Sequence, residues 1–304
     1  MLKQLIFDFR YQLALHATVF IWGFTGILGK LIEVPYYSIV WYRMLIAAIG
    51  LLVYAFFTKA ELRIPFKKAS LFLLVGFIVA AHWSTFFQAL KVSNVSVVLT
   101  TLASASLFVA ILEPIFFKRK LIFYELFFGL AVIVGLSLIF NFENQYALGI
   151  MLALSSAFLA ALFSTINGLL IRENKARIIT FYEMVGGVIG ISVYTFLFEQ
   201  PTIADFSPGL NDIIYLLILG LVCTAVAFVV SVEVMKELSP FTVSISINME
   251  PIYAIILALI FFGESEQMTL GFYAGALIIF STVLGNAALK SIQRRRKRKE
   301  SQKA

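Results

Sequence analysis

Apolar stretches of about 20 residues follow one another from residue 13 to residue 289, with only short polar separators between them. A helical stretch of that length crosses a hydrocarbon core of ~30 Å, at 1.5 Å of rise per residue. Backbone N–H and C=O groups cannot go unpaired in lipid, so only helices or a closed barrel can span it. The alternating pattern of ~10 residues that a barrel needs is absent. The chain therefore reads as an all-α polytopic membrane protein. Composition agrees, because 61% of the 304 residues are hydrophobic and only 13% are charged, against about 25% charged in ordinary soluble domains. The single Cys223 lies inside an apolar stretch, so no internal disulfide forms and the redox compartment is not indicated.

Ten transmembrane helices are expected, at 13–33, 36–58, 70–90, 94–117, 121–140, 147–171, 178–198, 212–235, 239–262 and 267–289. The separators carry turn chemistry, as in Val34-Pro35, Asn141-Phe142-Glu143-Asn144, the segment from Pro201 to Pro208-Gly209, and Ser239-Pro240. With the N-terminus in the cytoplasm, 21 of the 24 lysines and arginines fall in cytoplasmic segments, from Lys3 and Arg10 to the tail Arg294-Arg295-Arg296-Lys297-Arg298-Lys299 and Lys303. Lys30 and Lys91 sit at outer ends, and the outer loops carry Glu33, Glu143, Glu199, Asp205, Asp212, Glu264 and Glu266. This bias places both termini in the cytoplasm of a multi-pass cell-membrane protein, with a prokaryotic inner membrane as the expected setting. No cleavable signal peptide is expected, because the first apolar segment is a full span with no small-x-small site after it. Directly after a span, the basic tail reads as a topology anchor touching anionic membrane lipids, not as a nucleic-acid contact.

The chain also matches itself. Leu90-Lys91-Val92-Ser93-Asn94 and Met235-Lys236-Glu237-Leu238-Ser239 both close one span and open the next, and Trp41-Tyr42-Arg43-Met44 aligns with Phe181-Tyr182-Glu183-Met184, 140 positions later. Residues 1–140 and 141–290 form two five-helix repeats, with 291–304 as the tail. Five crossings end on the side opposite to their start, so the second repeat is inverted with respect to the first, as in many secondary carriers.

Four places carry a family resemblance: Ile21-Trp22-Gly23-Phe24; Trp41-Tyr42-Arg43-Met44-Leu45-Ile46-Ala47; Phe87-Gln88-Ala89-Leu90-Lys91; and Met249-Glu250-Pro251 followed by Phe262-Gly263-Glu264 and Gly271. In order and spacing they resemble the EamA-like branch of the drug/metabolite transporter superfamily over nearly the whole chain. The resemblance implies a permease that moves small metabolites, often amino acids or related amphipathic compounds, outward. One departure stands out: the fourth span ends in Lys118-Arg119-Lys120 where the family pattern has Gly-Glu, and Glu113-Pro114 falls later than the counterpart of Glu250-Pro251.

Ionisable side chains inside a span cost a few kcal/mol (about 2.5–3.5 at the centre), so they face protein or a wet cavity. Glu250 lies midway along the ninth span, with Asn248 beside it and Ser246 and Tyr253 on its helical face; Pro251 frees a carbonyl near residue 247. It reads equally as a site acid and as a packing acid. His82, with Trp83 beside it, lies mid-way along the third span, where an imidazole binds a carboxylate, carries a coupling proton or bonds a neighbouring helix. Arg43 and Glu183 occupy matching places; Arg43 reads as an anion-attracting entrance on the substrate pathway or as a residue snorkelling to the interface, and snorkelling is the plainer reading for both. Glu113 and Glu233 read as interfacial partners of Lys118 and Lys236. Ser96, Thr100 and Ser104 on span four, and Ser164 and Asn167 on span six, line a pore or pack helices. Trp22, Trp41 and Trp83 share spans with the polar candidates and suit amphipathic solutes. Gly186-x-x-x-Gly190 and Gly271-x-x-x-Gly275 read first as packing, with a homodimer contact as the alternative.

No phosphate loop, zinc spacing or His-Glu-x-x-His motif occurs, so no cofactor, metal or enzymatic activity is expected. The expected function is a secondary exporter of small-molecule solutes, with proton coupling through His82 and Glu250 as a corollary. A lipid or lipid-linked headgroup flippase is the alternative.

Overall fold

A computed structural model of the chain describes residues 9–120 and 122–301, and all regular structure among them is helical. Lys3 and Lys303 lie outside the described residues, and of the tail only the backbone of 291–301 is described. The chain runs α1 (Arg10–Leu31), α2 (Tyr36–Thr58), α3 (Phe66–Val92), α4 (Val95–Leu102), α5 (Ala105–Phe117), α6 (Phe123–Phe142), α7 (Ala147–Leu170), α8 (Ala176–Tyr194), α9 (Leu210–Leu217), α10 (Ala227–Glu233), α11 (Pro240–Ile247), α12 (Glu250–Phe262) and α13 (Leu270–Ser301). A π-helical stretch, Ile218–Val226, joins α9 to α10.

Among the described residues, eight helical units are long and apolar enough to cross a membrane: α1, α2, α3, α4 with α5, α7, α8, α9 with α10, and α11 with α12. The helices α6 and α13, with the apolar segments Phe127–Phe142 and Leu270–Thr282, fall where the fifth and tenth spans were expected. The surface is what a lipid solvent selects, since Phe56, Phe57, Phe196 and Leu277 are exposed while the interior closes around residues such as Phe72, Phe87 and Met44.

Close packing is set by glycine. A Cβ on Gly76 would strike the backbone of Glu183, and one on Gly186 the backbone of Leu73, so α3 and α8 meet backbone to backbone. Gly275 meets Gly135 in the same way between α13 and α6. Both glycine pairs singled out in the sequence thus pack inside the chain, with Gly190 against Phe77 and Gly271 against Phe142.

Two spans are broken near their midpoints. Between α4 and α5, Ala103 and Ser104 have ψ of −18° and −12°; between α11 and α12, Asn248 and Met249 have ψ of −6° and −17°. An α-helix holds ψ near −42°, so each break is a tightened turn. Ser104 N–H donates to the Thr101 carbonyl and Met249 N–H to the Ser246 carbonyl, both three residues back. Pro251, which has no N–H to give to Ile247, explains the second break. Asn94 and Ser239 cap the starts of the two spans, accepting from Val97 N–H and Thr242 N–H. The spans lie against each other head to tail, α4 beside α12 and α11 beside α5.

Candidate functional site

The two breaks face one cavity of about 110 Å³, which takes Leu102, Ala103 and Ala105 from one span and Ile247, Asn248, Glu250 and Pro251 from the other. That is room for several water molecules or part of a small solute. α1, α2, α3, α7 and α10 close the wall with Trp22, Arg43, His82, Trp83, Phe163 and Phe228.

Arg43 does not snorkel. It is 2% exposed, its Nε donates to Thr224 Oγ1 (2.7 Å), and its guanidinium carbon sits 3.8 Å from the centroid of the Trp83 ring. Its Nη1 has no protein partner. The π stretch makes this possible, because its wider turn lets Thr224 bond Leu219 O five residues back while its hydroxyl accepts from Arg43. The same stretch presents the Cys223 carbonyl to Trp22 Nε1 (2.9 Å).

Glu250 opens α12 at the break, is buried, and interacts electrostatically with Arg43. Its neighbour Asn248 donates through Nδ2 to Ser106 Oγ (3.2 Å) and so ties one broken span to the other.

His82 is buried against Ser156 of α7. Its Nδ1 lies 3.0 Å from the Ser156 carbonyl and 2.8 Å from the Ser156 hydroxyl, and that hydroxyl is 3.0 Å from the His82 carbonyl. One assignment satisfies every group: Nδ1–H donates to Ser156 and the Ser156 hydroxyl donates to His82 O. Nε2 then remains as an acceptor on a residue of the cavity wall. Phe163 (5.3 Å between centroids) and Phe86 flank the imidazole, and Phe228 packs edge-on against Trp83.

Seven residues singled out in the sequence therefore share the cavity wall: Trp22, Arg43, His82, Trp83, Ser164, Asn248 and Glu250. Tyr253, Ser104 and Asn167 do not. Tyr253 packs between α1 and α12, with its ring 5.5 Å from that of Phe20 and its Cβ where a side chain on Gly23 would fall. Ser104 turns to a separate groove with Ser137 and Asn141. Asn167 is fully buried and donates to Glu183 Oε2 (3.4 Å). Glu183 is itself 0% exposed, so it does not snorkel either. Of the other acids, Glu233 pairs with Lys236 at the surface. Glu113 is 4% exposed and pairs with Arg119, not with Lys118. Sequence reasoning missed Thr224, Ser156, Phe163 and Phe228. Hydroxyl and phenyl groups are too common in this chain to stand out.

The sequence profile described as "EamA-like transporter family" matches residues 10–141 and again 147–287. No protein of curated function matches the chain. Solved structures share the fold. One, described only as "Crystal structure of protein", superimposes with a TM-score of 0.70 at 14% identity, over 94% of this chain and 99% of its own.

Proposed function

The chain belongs to the EamA-like transporter family, and on that footing we propose that it is a secondary carrier exporting small organic metabolites, such as amino acids or related amphipathic compounds, by alternating access. The observation that supports this is the meeting of two broken helices from different repeats at one partly polar cavity. Arg43, with a free Nη1, suits a solute carboxylate, while Glu250 and the Nε2 of His82 suit a solute ammonium or a coupling proton. Trp22, Trp83 and Phe163 suit the apolar part. The reading takes α6 and α13 as complete crossings, which gives ten spans in two inverted five-helix repeats with both termini cytoplasmic. Purified protein in liposomes, loaded with a broad metabolite panel and assayed for efflux and counterflow, tests it. Movement of amphipathic metabolites is expected, and no movement of any solute under any ion gradient overturns it.

One feature favours a second reading, a lipid or headgroup flippase. The groove beside Ser104 has Ile133 and Phe140 on its rim, both exposed toward lipid. Scrambling of labelled lipid in the same vesicles, without metabolite flux, would favour it.

A further inference from the structure

Outside the cavity, two acids join the broken spans end to end. Glu266, 1% exposed and just past α12, accepts the backbone N–H groups of Val95 (3.0 Å) and Ser96 (2.9 Å) and the Ser96 hydroxyl (2.8 Å). Those are the first two residues of α4. Glu113, near the end of α5, accepts the backbone N–H of Phe241 (2.8 Å) in the first turn of α11, and its other oxygen accepts Arg119 Nε (3.2 Å). A helix start gathers unpaired donors and the positive end of the dipole, so a carboxylate is a fitting cap. Both starts already have a local cap, Asn94 and Ser239. The buried carboxylates are second caps, each brought by the opposing span of the other sequence repeat.

A third join lies between them, where Asn248 Nδ2 donates to Ser106 Oγ beside both breaks. The pair is thus fastened at its two ends and touched at its middle. From this geometry we infer that Glu113 and Glu266 are alternating gates, and that the Asn248–Ser106 contact is the pivot about which the spans rock. The inference rests on the carrier reading above. A span of 23 residues, Val95–Phe117, is roughly 35 Å long, so each arm from the pivot is roughly 17 Å. A tilt of about 10° then moves an end by about 3 Å, which breaks a hydrogen bond there. Rocking that parts one end leaves the other closed. Both latches are made in this structure, with the cavity between them. The Glu113 end also carries Arg119 and the Glu233–Lys236 pair, and the Glu266 end lies at the turn from α3, whose last residues include Lys91, into α4.

The test reads access to the cavity from each side. Cys223 is replaced by alanine and Ser244, a small cavity residue 5% exposed, becomes the reporter as Ser244→Cys. A membrane-impermeant thiol reagent is applied to right-side-out and to inverted vesicles. Glu113→Ala should raise labelling at least about threefold from the face that carries Lys236, and Glu266→Ala should raise it by a similar factor from the opposite face. A residue that only holds the fold together would not give responses of opposite sidedness. Where an alanine variant does not reach the membrane, the isosteric Glu113→Gln and Glu266→Gln carry the same two signs at smaller size. Labelling that rises from the same face in both variants, or in neither, at wild-type abundance overturns the gates. The readout needs no substrate. A protein that moves no solute can still show the two-sided response, and a working carrier without that response keeps its function and loses the gates.

Discussion

Arg43 sets the electrostatics of the cavity. A buried guanidinium ordinarily has a carboxylate in direct contact. Here it has an indole face, one hydroxyl and an electrostatic interaction with Glu250, while Nη1 stays free. A hydrogen bond to a charged group contributes about 1.5–3 kcal/mol, so Arg43→Ala should weaken binding of anionic solutes by about 10–100-fold. Arg43→Lys, which keeps charge but not the planar fork, should retain part of that affinity. Concentration dependence of uptake into inverted vesicles measures both, and wild-type affinity in both variants at equal protein level would leave Arg43 a structural residue. Glu250→Gln and His82→Gln should each lower transport severalfold at unchanged membrane abundance, since each keeps volume and a polar end while losing the charge or the ring acceptor. Normal transport by Glu250→Gln would make that residue a packing acid. These side chains were legible in the sequence because a charged or amide group in an apolar run stands out. Thr224 was not, since its role depends on a π-helical turn that no residue pattern announces.

At the scale of the element, the breaks at Ala103-Ser104 and Asn248-Met249 govern which side chains meet. Pro251 announced the second one. Nothing of that kind marks the first, where no proline stands near residue 104 and the tight turn is held by the Ser104 and Ser106 N–H bonds to carbonyls three residues back. The second break turns Ser246 away from Glu250 and Tyr253, but those two share α12, where a spacing of three residues leaves Tyr253 about 60° round the helix from Glu250 and against α1. Pro251→Ala restores a donor in reach of the Ile247 carbonyl and should straighten α11 into α12. Turnover is expected to fall while membrane abundance holds or rises, and unchanged turnover would show that the break does not flex. Packing gives a complementary expectation. Gly76→Val must push α3 away from the backbone of Glu183, and overpacking of this kind destabilises by about 1–3 kcal/mol. A lower unfolding temperature in detergent is expected for Gly76→Val and none for Gly209→Ala, because Gly209 has open space around it.

For the whole molecule, apolar length made the helical class legible and the internal match of Trp41–Met44 with Phe181–Met184 the two repeats, while the cross-span caps stayed illegible. Glu113 lies 128 residues from Phe241, and Glu266 lies 171 from Val95. Pairing at that separation leaves no local trace. The crossing count depends on α6 and α13, which stand where the fifth and tenth crossings were expected. Accessibility labels at three points decide it: one at the N-terminus, one beside Asp205 and one after residue 300. The Asp205 loop is a suitable site because the backbone N–H and then the hydroxyl of Thr202 hold its carboxyl below the usual range, which keeps it ionised and in water. With ten crossings, seven separate the N-terminus from Asp205 and three separate Asp205 from the C-terminus, so both termini should report the cytoplasm and Asp205 the outside. An N-terminal label on the same side as Asp205 would mean that α6 does not cross. A C-terminal label on the same side as Asp205 would mean that α13 does not. The first result also undoes the inversion of the repeats, since a first half with four crossings ends on the side where it began and the second half would then enter from the same side, whereas loss of α13 alone leaves the second half entering from the opposite side and still inverted.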